Sequence, residues 1–140
     1  MDRAALYAFM TQQRYGVLSS VNRRGNPESA LMGIAVSLEL EIIFDTPETT
    51  RKYANLIAHP ACSFVIGWQD EQTVQYEGQA FIPQGVELDR FRRIYFAAWP
   101  DGPSRLSWPG LVHFVVRPHW VRWSDYGVTA PNVEEIVLQR

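Results

Sequence analysis

Between Phe44 and Lys52 the chain reads Phe-Asp-Thr-Pro-Glu-Thr-Thr-Arg-Lys: a strand end, a hydroxyl-rich turn and a helix start that carries two adjacent cations. The cations work against the helix they open. A helix N-terminus bears roughly half a positive charge, so Arg51 and Lys52 in the first turn cost up to about 1 kcal/mol unless an anion compensates. A phosphate would supply that compensation. First-turn amides, the hydroxyls of Thr46, Thr49 and Thr50, a guanidinium and an ammonium together form a phosphate cage. The same residues also suit a plainer reading, an N-cap followed by two solvated cations. Local physics leaves both open.

Other chemistries find less support. His59, His113 and His119 lack paired metal-ligand spacing and have no Cys or carboxylate cluster beside them, so no metal site is expected. Ser19, Ser20 and Ser104 stand without a base or an elbow motif, and no hydrolase is indicated. The basic groups Arg23-Arg24 and Arg90, Arg92, Arg93 are set against a formal charge of −2, from 13 basic and 15 acidic residues. That balance provides no general field for nucleic acid or an anionic membrane.

The single cysteine, Cys62, lies in the apolar run Ala61 to Ile66, the setting of a buried thiol, and fits a reducing, cytoplasmic compartment. No stretch approaches the about 20 apolar residues of a membrane span, and the N-terminus lacks the order of a signal peptide. A soluble protein is expected.

The elements that must position the 44–52 segment follow from periodicity. At 140 residues one domain, 1–140, is expected. Asp2 caps a first helix through about Gln12, with Ala5, Leu6, Phe9 and Met10 on one face. Strands are expected over Gly16 to Val21, Glu28 to Ser37 and Leu40 to Phe44, the first two joined by the turn Asn22 to Pro27. A short helix opens at Thr49 or Thr50 and ends at His59-Pro60, because proline disfavours helical geometry in the residue before it.

Two strands, about Ala61 to Trp68 and Thr73 to Ile82, flank a polar turn. The second alternates apolar and polar residues, so one face is wet and one buried. Leu88, Phe91, Tyr95 and Ala98 mark a third helix. Val112 to Val116 and Trp120 to Trp123 form one or two last strands, and the tail after Asp125 carries no clear signal. Connections too short for parallel crossovers make the economical fold a mainly β (α+β), six- to seven-stranded antiparallel barrel with three peripheral helices. Trp99, Trp108, Trp120 and Trp123 suit either packing or a ligand cleft and dimer seam.

The run from Phe44 to Lys52, continued through Leu56 to His59-Pro60, resembles the motif of the pyridoxamine 5′-phosphate oxidase-like family: aromatic-x-Thr, a turn, Ser/Thr-Arg-Lys, a helix, then Asn-Pro. The order of elements from about Tyr7 to Trp123 is similar to that family's as well. The resemblance implies a split-barrel homodimer with FMN at the subunit interface. It places Arg51 and Lys52 on the phosphate and Asp45, Thr46 and Thr50 near the ribityl-phosphate region.

Two further family positions, a basic residue on the preceding strand and a glutamine near the flavin ring, fall here on Ala30 and Thr73. The Arg-x-His element that grips pyridoxamine phosphate in the true oxidases is not found in the ending Val137-Leu138-Gln139-Arg140. Vitamin B6 oxidation is therefore not expected. Arg105, in a Gly-Pro-Ser-Arg-Leu run before the last strand, is a candidate for an anionic substrate. The resemblance implies an FMN-binding oxidoreductase of unknown substrate with no assignable catalytic side chain. A deazaflavin-dependent reductase and a flavin- or haem-binding stress or sensor protein without turnover are the alternatives.

Overall fold

A computed structural model describes residues 1–138, so the final Gln139-Arg140 lie outside the described residues. Helix α1 (Arg3–Gln12) begins where expected, with the Asp2 carboxylate accepting from the Ala5 amide at 2.8 Å. Leu6 and Met10 are buried, Phe9 is half-buried, and Ala5 turns to solvent. Strands β1 (Tyr15–Val21) and β2 (Pro27–Gly33) form the hairpin.

The expected strand from Glu28 to Ser37 is divided in two. After Gly33 the chain leaves β1, and the two-residue β3 (Ala35–Val36) pairs instead with β4 (Ile42–Pro47). Trp99 marks the crossing: its indole donates to the Ile34 carbonyl at 2.9 Å, and a Cβ on Gly33 would lie 2.8 Å from its ring. Only glycine lets the tryptophan close there.

Helix α2 (Arg51–Ala58), strands β5 (Ala61–Ile66) and β6 (Gln72–Phe81), and helix α3 (Gly85–Ala98) follow in the expected order. The last strand signals merge into one 15-residue strand, β7 (Leu111–Asp125). A register shift opposite Glu77/Gly78 absorbs the Pro118-His119 interruption, as bulges do. The unassigned tail forms β8 (Asn132–Val137), tied to β7 by an Arg122–Glu135 ion pair.

The antiparallel sheet runs β2-β1-β5-β6-β7-β4-β3, with β8 continuing the β4 edge of β7. It is a split barrel, open between β2 and β3. Among the described residues its eight strands exceed the expected six or seven because β3 and β8 carry too short or too polar a pattern to read. Among the described residues no helix is long and apolar enough to cross a membrane.

Two cores result. Phe44, Phe64, Tyr76, Phe114 and their neighbours fill the barrel, under α1 and Leu56 of α2. Outside it, Phe91 and Tyr95 of α3 pack on Ala35, Ile43 and Val115. β4 is thus covered on both faces, which explains its unbroken Ile42-Ile43-Phe44 run. Because successive side chains of a strand point to opposite faces, Phe44 and Thr46 face the barrel while Ile43 and Asp45 face α3. That parity decides the site.

Candidate functional site

Thr50, not Thr49, caps α2. Its extended backbone (φ −80°, ψ 157°) lets its hydroxyl accept from the Tyr53 amide at 3.4 Å. The hydroxyl of Thr46, buried at the end of β4, lies 2.7 Å from that of Thr50, and both reach the Pro47 carbonyl, at 3.2 and 3.1 Å. Thr46 and Thr50 therefore brace the turn. Arg51 and Lys52 follow as the first two helical residues, beside amides that have no intrahelical carbonyl to bond.

Both cations line a cavity of about 120 Å³ that also receives Ser20 of β1; Ser29 of β2 borders it, but its hydroxyl points to the other face of the sheet, 3.1 Å from that of Ser19. Its apolar floor is Leu18 and Ala30. Burial pushes the Lys52 ammonium below its ordinary range, with the neighbouring Arg51 charge adding to the effect. The Arg51 side chain is 77% exposed and stands 3.3 Å from one oxygen of Glu28. Asn55 of α2 donates to the other Glu28 oxygen at 2.9 Å and to Ser20 at 3.0 Å, tying the helix to the β1–β2 hairpin.

The structure brings together four of the six residues marked in the sequence: Thr46, Thr50, Arg51 and Lys52. Asp45 is not with them. Strand parity turns it toward α3, where its carboxylate accepts from Arg105 Nε at 2.8 Å. Thr73 stands at the start of β6 opposite Ser124, whereas Thr46 pairs with Val112, so the two lie at opposite ends of β7. The Thr73 hydroxyl is buried without a partner. Ala30, in the cavity wall, leaves a methyl where a third cation would sit.

Ser20, Ser29, Glu28 and Asn55 were not marked. Two signals point to them: a charge at Glu28 at the start of a sparsely charged strand, and an amide at Asn55 beside the apolar stripe of a short helix. Only the fold brings them to one place.

A second polar cluster lies under the 3-10 turn Gly102–Ser107. Arg105 donates to Asp45, to Asp101 at 2.8 Å and to the Tyr95 hydroxyl at 3.2 Å. Its guanidinium is thus engaged within the chain rather than presented to an anionic substrate. Burial, with the Asp45 charge adding, pushes the Tyr95 hydroxyl up to about 12. His113, buried between Tyr95 and Phe96, accepts from Arg92 Nε at 3.4 Å. Burial, with the charge of Arg92, holds it down to about 4, so it is neutral.

No curated protein matches the sequence significantly. Solved structures share the fold. A haem-binding protein from Mycobacterium smegmatis superposes with a TM-score of 0.83 at 17% identity over 98% of this chain, which spans 58% of that protein's length. General Stress Protein 26 from Bacillus anthracis str. Sterne gives 0.74 at 20% identity, covering 97% of this chain and 98% of the other. A pyridoxamine 5′-phosphate oxidase-related, FMN-binding protein from Nostoc punctiforme PCC 73102 gives 0.70 at 11% identity, covering 98% and 95%. The family profile described as pyridoxamine 5′-phosphate oxidase matches residues 3–123. With that match spanning α1 to near the end of β7, the chain belongs to the pyridoxamine 5′-phosphate oxidase family.

Proposed function

We propose that the protein binds FMN and acts as an oxidoreductase on a small molecule, holding the FMN phosphate with Arg51 and Lys52. The observation that carries this reading is the convergence of both cations with Ser20 on one small cavity at the start of α2. Binding there relieves two cations that the helix dipole and each other's charge disfavour. The donors suit a phosphoryl group: a guanidinium, an ammonium and the Ser20 hydroxyl.

The cavity is small against the roughly 300 to 1,000 Å³ of whole-ligand pockets. It suits the phosphoryl head, with the ring lying outside, where a second copy of the chain would cover it. A homodimer therefore belongs to the proposal. The exposed apolar residues Tyr15, Leu31 and Val65, on one face of β1, β2 and β5, support it.

FMN, once bound, supplies hydride or electron transfer. The chain's own residues would hold the phosphate and brace the helix that presents the cations. Asp45 and Thr73 take no part in this phosphate site, and Thr46 acts through Thr50.

The test is the visible spectrum of the purified protein before and after FMN addition and desalting, with mass spectrometry of the ligand released by heat. Retained flavin bands with FMN identified are expected. A protein that stays colourless and retains no FMN would redirect the reading to a deazaflavin coenzyme or to a barrel that binds no flavin. Retained FMN that NAD(P)H or another donor cannot reduce would favour a sensor without turnover.

A further inference from the structure

The cavity that offers Arg51 and Lys52 to a phosphoryl group also holds a carboxylate. Glu28 is the second residue of β2, and both its oxygens are engaged: one by Asn55 at 2.9 Å, the other by Asn22 at 3.1 Å and by Arg51 at 3.3 Å. Hydrogen bonds from Asn55 and Asn22, and then the Arg51 charge, hold its carboxyl below the usual carboxylate range, so it is an anion at neutral pH. A phosphomonoester, itself close to doubly charged there, would meet two cations and one fixed anion.

Three anionic oxygens of such a group and the Glu28 carboxylate want the same guanidinium. Arg51 is the mobile member of the pair, with a long and mostly exposed side chain, whereas Glu28 is anchored by two amides. Arg51 is therefore the partner that changes hands.

We propose that Glu28 is the affinity-setting residue of this site: it holds Arg51 when no phosphate is bound, competes with phosphomonoesters for it, and keeps their binding reversible. The inference rests on the phosphate reading above. A purely structural Glu28, serving only to tie β2 to α2 through Asn55, would behave differently, because an amide could make that tie as well.

Glu28→Gln separates the two roles, since it keeps the shape and an acceptor for Asn55 but removes the charge. Dissociation constants for FMN and riboflavin, measured by flavin fluorescence at pH 8 and fixed ionic strength, give the readout. FMN should bind about tenfold or more tightly to the variant, the size expected for removing a like charge at this range. Riboflavin, which has no phosphate, should be unaffected, and Arg51→Ala in the same background should erase the gain. Glu28→Asp, which draws the charge back from Arg51, should fall between the two and serves if Glu28→Gln fails to fold.

Unchanged or weaker FMN binding by Glu28→Gln, in a protein that prefers FMN to riboflavin, would overturn the role of Glu28 and leave the phosphate site standing. If neither protein prefers FMN to riboflavin, the phosphate reading falls and this inference with it.

Discussion

Arg51 and Lys52 are placed where a helix repels them, and the cation pair also repels itself. In the ligand-free protein, replacing both by Ala should leave the thermal midpoint nearly unchanged, because the relieved dipole interaction offsets the lost Arg51–Glu28 contact. FMN affinity should fall by at least a hundredfold, since charge-assisted hydrogen bonds are worth about 1.5 to 3 kcal/mol each. Equilibrium titration with FMN checks the second outcome, and unchanged affinity would remove the site assignment. A different residue governs pH dependence. His113 is held down to about 4 against an ordinary 6.5, so the unfolded chain takes up the proton first as pH falls. Its contribution to stability is complete above about pH 6.5 and is lost as pH falls toward 4. His113→Phe, which keeps a ring between Tyr95 and Phe96, should flatten urea-midpoint stability across that window.

At the scale of elements, the α2 cap braces the helix start that carries the site, and the 99–110 connection anchors Asp45 on the opposite face of β4. Thr50→Ala removes the cap and leaves the buried Thr46 hydroxyl short of a partner, so it should cost about 1 to 2 kcal/mol in urea unfolding. Arg105→Ala strands the largely buried Asp45 carboxylate and should cost about 3 kcal/mol. Arg105→Lys should recover only part of that, because an ammonium cannot reproduce the three-way contact with Asp45, Asp101 and Tyr95. The cap of α2 was legible in the sequence because it is local: hydroxyl, helix formers and a closing His-Pro lie within one short stretch. The Asp45–Arg105 contact was not, because its partners are sixty residues apart and a strand's alternation decides which way Asp45 points.

For the whole molecule, the proposed dimer makes a separate prediction. Leu31 is 63% exposed and lies across from Val17, which in turn faces Val65 on the neighbouring strand. Leu31→Glu would bury a charge in a subunit seam on that face. Sedimentation velocity should show the wild-type protein as a dimer and this variant shifted toward monomer, with weaker FMN retention. A wild-type monomer that holds FMN tightly would set the seam aside.

The order of helices and strands, the antiparallel class, the cap of α2, the buried thiol and the cationic turn were all determined by the sequence, through periodicity, turn chemistry and a motif contiguous in the chain. Burial pushes Cys62 up to about 12, which agrees with its apolar run. Tertiary structure alone decided the rest. Closing the sheet put Ser20 and Glu28 of one hairpin beside Arg51 and Lys52, and the parity of β4 sent Asp45 to the other face. It also split one expected strand at Gly33, where Trp99 packs, and gave the tail β7 as a partner. These outcomes depend on contacts between residues distant in sequence, whose pairing is selected by the packing of the complete barrel and by no local preference.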